Sequence, residues 1–342
     1  MPSGRSPGAR STSGKKFGKL KKAEKDFEHC GVKHVAKDGG YWLTQSHYVQ
    51  QLRPLSDAEV ASWKDDDERI VPAHLGSSFI SLVCAMAWVL LTAPAISVYI
   101  SYLQRWLKGP RARQVRQANR VLRYLQARPQ GVLYTRLGKR IRMTVCSDSA
   151  FSAGEVDGLS VRGCFIMITE DDQTQPGGKG HVLDWVSRKQ SHVTRATFAA
   201  ELFGLLDSLN LAFRIMACIT EIQTGTALAS QLARRQDEGR WSMPVEGVID
   251  AKSVFDSIAS QGQVRASEGH LIVHLRAVQQ WIARGQLRAL WWADTRDMVA
   301  DGITKGKVDR LKILELVEKG RWILEHAAQR HALDIREKGE ES

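Results

Sequence analysis

Four carboxylates along this 342-residue chain could do chemistry together: Asp148, Glu201, Asp250 and Asp301. Asp148 closes an apolar run that reads as a strand, and Asp250 closes another, VEGVID. Glu201 falls in the first half of a long apolar helix, and Asp301 in a short closing helix, MVADGIT. Taken singly, an aspartate at a strand end commonly starts a turn. Brought to one spot, the four would repel one another, and such a cluster persists where cations occupy it. All-oxygen ligands suit Mg²⁺ or Mn²⁺. Two such ions about 4 Å apart can activate a water and stabilise the leaving oxygen of a phosphodiester. For Asp148 alone the turn and metal readings both stand; the set of four favours metal.

The elements that must position these acids are legible in outline. RIRMTVCSD, VRGCFIMITE and HVLDWVS read as three strands, joined by a Gly/Ser-rich turn and by DDQTQPGGKG. TRATFAAELFGLLDSLNLAFRIMACI reads as a long helix that Thr194 or Thr197 could cap. A looser, Arg-rich helical stretch follows, with ARRQDEGRWSMP as an inserted surface loop. Strand VEGVID, helices AKSVFDSIAS and SEGHLIVHLRAVQQWIARG, strand QLRALWWAD and the short helix TRDMVADGITKG complete the order. Within the second of those helices His270 and His274 read as ordinary helix residues rather than ligands. Three adjacent strands suggest an antiparallel meander, and strands reached through helices suggest parallel additions. The expected fold class is α/β: a five-stranded mixed sheet flanked by helices, preceded by a mostly helical segment. With the first and fourth strands as neighbours, Asp148 and Asp250 would share one crevice. Glu201 would reach down from the helix over the sheet.

Charge points to the partner. The chain is 43% hydrophobic, enough for a core, and its net charge is +12, which favours an anionic partner, either nucleic acid or an acidic membrane surface. Its five cysteines are scattered, odd in number and never CxxC, which argues for a reducing compartment and against a disulfide framework. His29-Cys30 with His34 resembles half a zinc site, but no second cluster follows nearby, so zinc is not expected. Residues 1–26 read as a disordered basic arm without the apolar core of a secretory signal. Between residues 70 and 104 there is no Asp, Glu, Lys or Arg, yet the fully apolar run, 82–91, is only ten long. That length suits a buried core helix better than a membrane span, which needs about 20 apolar residues. Residues 105–142 then carry twelve Lys/Arg and no acid. Arg113, Arg116, Arg120 and Arg123, at steps of three, four and three, fall on one helical face. An unbroken basic face suggests phosphate contact.

The order and local sequence of these motifs resemble the ribonuclease H domain of copia-type LTR retrotransposon Pol polyproteins. SDSAFSAG matches a Ser-Asp-x-Asp-Trp-Ala-like motif, and DWVSRKQSHVTRATFAAELFGL a Ser-Lys-Lys-Gln strand leading to a Glu-Ala-Glu-Tyr helix. IDAKSVFDS matches Asp-Asn-x-Ser-Ala, and VADGITKG matches Leu-Ala-Asp-x-x-Thr-Lys. Upstream, YWLTQSHYVQQL, the apolar segment and RQANRVLRYLQARPQGVLY resemble the stretch after a reverse transcriptase palm. Ala150 stands where the family has its second aspartate, and Ala199 where it has its first glutamate. The palm's Tyr-x-Asp-Asp is absent, so polymerisation is not expected.

The resemblance implies metal-dependent hydrolysis of the RNA strand of an RNA–DNA hybrid. Asp148, Glu201, Asp250 and Asp301 would be both catalytic and metal-holding, with two Mg²⁺ or Mn²⁺ ions. Arg188 and Lys189, with Arg113, Arg116, Arg120 and Arg123, would meet backbone phosphates. It also implies a division into the arm (1–26), a mostly helical thumb- or connection-like remnant (27–137), the ribonuclease H-like domain (138–310) and a helical tail (311–342). A cytoplasmic or nuclear location is expected, and a membrane partner is not. Two rival readings are a catalytically inactive nucleic-acid-binding remnant and a protein anchored in a membrane through residues 82–104.

Overall fold

A computed structural model describes residues 25–56, 59, 61–63, 66–151, 159–172, 174–191, 193–194, 196–225, 228–260 and 269–333. Most of the expected basic arm (1–24), the turn at 152–158 and the end of the expected tail (334–342) lie outside the described residues.

The first lobe opens with a hairpin and its neighbour: β1 (Phe27–His29), β2 (Val32–Lys37) and β3 (Gly40–Thr44), with Asp38-Gly39 turning between β2 and β3. Helices α1 (Ser46–Val49), α2 (Ala73–Val89), α3 (Ser97–Gln104) and α4 (Ala112–Ala127) follow. β4 (Val132–Tyr134) then returns to pair with β3. The lobe expected to be mostly helical thus also carries a four-stranded sheet, ordered β1-β2-β3-β4. Residues 82–104 are not one helix. The chain leaves α2, makes a 3₁₀ turn at Pro94–Ile96 and restarts as α3. Pro94 has no amide to continue a helical ladder. Phe79, Val83 and Met86 of α2, Ile100 and Leu103 of α3, and Val115 and Leu122 of α4 share a buried core. Residues 82–104 therefore do not form the one continuous helix that a single span would use.

The second lobe is built on β5 (Ile141–Ala150), β6 (Val161–Glu170) and β7 (Gly178–Lys189). After them come α5 (Thr197–Thr224), α6 (Ala229–Asp237), β8 (Val245–Ile249), α7 (Lys252–Ala259), α8 (Leu271–Ala283) and β9 (Ala289–Trp292). α9 (Asp301–Thr304), α10 (Leu311–Lys319), β10 (Arg321–Trp322) and β11 (Gln329–His331) end it. The strand order is β10-β7-β6-β5-β8-β9-β11. β5, β6 and β7 are antiparallel neighbours, while β8 runs parallel to β5 and β9 parallel to β8. This is the expected mixed sheet flanked by helices, with seven strands rather than five because β10 and β11 add to its edges. Residues 311–333, expected to be a helical tail, are helical only in α10 and otherwise complete the sheet.

Side-chain alternation gives the sheet two faces. Met143, Val145 and Ile166 face Leu202, Leu205 and Leu209 of α5. Cys146, Phe165 and Met167 face Ala300, Ile303 and α10, and Ala95 and Val132 of the first lobe join them. α5 is long and apolar enough to cross a membrane by length and composition; here half of its most apolar window is buried. Its N-cap is Ala196, and no side chain caps it; Thr194 instead bonds Ser160 through hydroxyls 2.9 Å apart. α6, in the expected surface insertion, buries no residue.

One polar network sits inside the sheet. Arg142 and Glu246 are both fully buried, with Arg142 Nη1 3.1 Å from Glu246 Oε2. Arg288 Nε donates to Glu246 Oε1 at 2.8 Å and Trp291 Nε1 to Oε2 at 2.9 Å. Burial lowers the Arg142 pKa, opposed by the Glu246 charge.

Candidate metal centre and nucleic-acid interface

Register brings the first two acids together. β5 and β8 pair from Met143–Val245 to Cys146–Val248, and the same offset carried two residues further sets Asp250 beside Asp148. On the other side Asp148 pairs with Gly163, and Gly163 with Ser187. Asp148 does not end its strand, which runs on to Ala150; Asp250 directly follows β8.

Gly163 explains where the third acid comes from. A Cβ at this position would strike Thr304 and Ile303, so only a bare backbone lets α9 lie across the row. Ser187 Oγ donates to the Ile303 carbonyl at 2.6 Å, and the Thr304 hydroxyl bonds Asp148 Oδ2. Asp301, the first residue of α9, thereby joins Asp148 and Asp250: one oxygen of each lies within 4.8 Å of the others. Asp148 and Asp301 are buried, and Asp250 is half-buried. Thr295 Oγ1 donates to Asp250 Oδ2 at 2.8 Å.

Glu201 approaches from α5, on the opposite face. Gly204, one turn further along α5, sits against the Ser149 hydroxyl with no room for a Cβ, so the helix can close onto β5. Ser208 Oγ, another turn on, donates to Ser147 Oγ at 3.2 Å. Glu201 couples electrostatically to Asp148 and Asp250. It lies outside the triad of mutually close oxygens.

The electrostatics are those of crowded carboxylates. Burial first, then the Asp148 and Asp250 charges, push the Glu201 carboxyl up to about 9. Burial and Asp148 push Asp301 up to about 7, and the same two causes raise Asp250. Lys305 stands among them, its Nζ 2.7 Å from Asp301 Oδ1 and 3.3 Å from Asp148 Oδ1. Burial pulls its pKa down, but the Asp148 and Asp301 charges outweigh that and raise it. Sequence reasoning missed this role, although Lys305 stands in the Thr-Lys pair of the quoted closing motif. The donor set fits a hard divalent cation: oxygens converge, and buried Glu201 Oε2 has no hydrogen-bond partner.

The basic residues divide into two groups. Arg188 and Lys189 line a groove with Arg162 and Arg214, beside Asp184 and Asp207. By register Arg188 shares a face with Ser149, while Lys189 shares the Asp148 face with Ala150. The expected unbroken basic face on α4 does not exist as such. Arg113 pairs with Glu68 at 2.6 Å and Arg116 with Asp67, acids contributed by the segment ahead of α2. Arg120 and Arg123 are exposed. His274 packs edge-on against Phe203, with ring centroids 5.1 Å apart.

No family model matches the chain. Two curated relatives are retrovirus-related Pol polyproteins of Arabidopsis thaliana, from transposons RE1 and RE2. Each is 22% identical over 225 residues, 66% of this chain. The chain spans only 13% and 14% of their respective lengths. Among solved structures, the N-terminal ribonuclease H domain of a Mycobacterium tuberculosis protein, fused to maltose-binding protein, is 14% identical. It covers 48% of this chain and 92% of its own, with a TM-score of 0.29. A ribonuclease H1 isolated from compost by a metagenomic approach is 17% identical and covers 49% of this chain and 96% of its own, with a TM-score of 0.30.

Proposed function

We propose that this chain is the ribonuclease H part of a retrotransposon-derived Pol protein and hydrolyses the RNA strand of RNA–DNA hybrids with divalent metal. The convergence of Asp148, Asp250 and Asp301 carries this reading. Those three side chains, with Glu201 beside them, would hold two Mg²⁺ or Mn²⁺ ions. When bound, such ions supply Lewis-acid stabilisation of charge on the phosphodiester oxygens. The protein's own groups keep the cluster in place. The Thr304 hydroxyl fixes Asp148, and the Thr295 hydroxyl fixes Asp250. Arg188, Lys189 and their groove neighbours would take successive phosphates, giving salt-dependent binding with little sequence preference.

One observation favours the rival reading, a binding remnant without catalysis: Lys305 already gives two of the three acids a cationic partner. A labelled hybrid incubated with Mg²⁺ separates the two. Cleavage by the native chain should fall at least about a hundredfold in Asp148→Asn and Asp250→Asn. Equal cleavage by all three would refute the site. Binding without cleavage, unchanged in both variants, would establish the remnant.

A further inference from the structure

Asp301 sits on a helix too short to hold itself. α9 has four residues, and its C-cap amide, that of Lys305, donates to the Asp301 carbonyl at 2.9 Å. Its sheet-facing side rests over Gly163 and Ser187. Its exit is gripped from elsewhere in the chain. Arg310 Nη2 donates to the Lys305 carbonyl at 3.0 Å and to the Tyr99 hydroxyl at 3.2 Å. Arg310 Nε donates to the Ala95 carbonyl at 3.2 Å. The Tyr99 hydroxyl donates to the Gly306 carbonyl at 2.8 Å. The Arg310 guanidinium also lies 5.2 Å from the Tyr99 ring centroid, within cation–π range.

Ala95 and Tyr99 belong to the first lobe, at the 3₁₀ turn and the start of α3. Lys305 and Gly306 directly follow the acid-bearing helix. The grip therefore crosses between lobes, and it holds backbone carbonyls, whose positions set where the preceding side chains stand. We propose that the Tyr99–Arg310 clamp makes the first lobe a positioning element for the carboxylate cluster, so that metal affinity depends on contacts made from the apolar segment. This rests on the metal-site reading above. It assigns the apolar segment a task that neither a buried core nor a membrane span would give it. Arg310 and Tyr99 are positioning residues: they hold backbone carbonyls and each other rather than the carboxylates.

The test is a calorimetric titration of the full chain with Ca²⁺ at neutral pH, with thermal melting run alongside. Groups that orient ligands from behind typically change metal affinity by about 10–100-fold. Arg310→Met should weaken Ca²⁺ binding by about tenfold, at the near end of that range because it acts through backbone. Tyr99→Phe, which removes only the hydroxyl, should weaken it by about threefold, less than the full range because the ring and Arg310 remain. Arg310→Lys should fall between native and Arg310→Met. If Arg310→Met does not fold, Tyr99→Phe decides. Native affinity in a folded Arg310→Met, or failing that in Tyr99→Phe, overturns the clamp while leaving the site intact. Absence of Ca²⁺ uptake by the native chain overturns the site itself, and the clamp with it.

Discussion

Lys305 Nζ lies 3.3 Å from Asp148 Oδ1, so the carboxylate cluster carries a cation of its own. An ammonium there balances charge without metal but repels any divalent ion that enters. Lys305→Gln should therefore bind Ca²⁺ more tightly, by about tenfold, or about 1.4 kcal/mol. That is well below the bare Coulomb limit, because Lys305 is 34% exposed and solvent screens it. Calorimetric titration of the variant beside the native chain checks this; weaker binding would make Lys305 a scaffold instead.

The Glu201 carboxyl has a folded-state pKa of about 9, far above that of an unfolded glutamate. Between those two values the folded chain holds a proton that the unfolded chain releases. Stability without metal is therefore full at low pH on this account, and is lost as pH rises from about 4.5 to about 9. Melting midpoints in EDTA should fall across that window, and Glu201→Gln should flatten the fall. A parallel curve for the variant would put the titration elsewhere.

Arg142 and Glu246 have no solvent to fall back on. Glu246→Ala would leave buried Arg142 with only Asp171, 3.6 Å away, as counter-charge, and would remove the acceptor of Arg288 Nε and Trp291 Nε1. A loss of about 3–5 kcal/mol is expected from urea unfolding. A change below about 1 kcal/mol, the ordinary surface range, would mean the network is wetter than it looks.

Gly163→Val places a strand-favouring side chain where α9 must lie. Overpacking of this kind costs about 1–3 kcal/mol. The variant should lose Ca²⁺ affinity as well as stability, because Asp301 rides on the displaced helix. Loss of stability with native affinity would separate α9 from the site.

The two arginine groups should differ in hybrid binding. With Asp148→Asn as background to block cleavage, Arg188→Ala should reduce the slope of log affinity against log salt by about one phosphate's worth, roughly 0.9. Arg116→Ala, already paired with Asp67, should leave the slope nearly unchanged. Fluorescence anisotropy across a salt series reads both.

What could be seen beforehand follows from the range over which each signal acts. β5, β6 and β8 are apolar runs closed by turns, so Asp148 and Asp250 were visible as acids near strand ends. Their adjacency depends on parallel register across a hundred residues, which only a topology argument could anticipate. β10 and β11 have two and three residues, too few for any alternation to show. The partners of Arg113 and Arg116 come from residues 67 and 68, so a helix read alone seemed unbalanced. Lys305 was quoted for its place in a motif, yet nothing local says that its ammonium turns inward.

The final strand has a consequence for handling the chain. β11 covers β9, pairing Gln329, Arg330 and His331 with Trp292, Trp291 and Leu290. Arg330 also spreads over the Trp291 ring, 5.7 Å from its centroid. A chain cut before residue 329 would present Ala-Leu-Trp-Trp as a bare, flat and uncharged edge, open to any other strand it met. These three residues act as the sheet's selvedge, and trimming them for convenience would invite the protein to stick to itself.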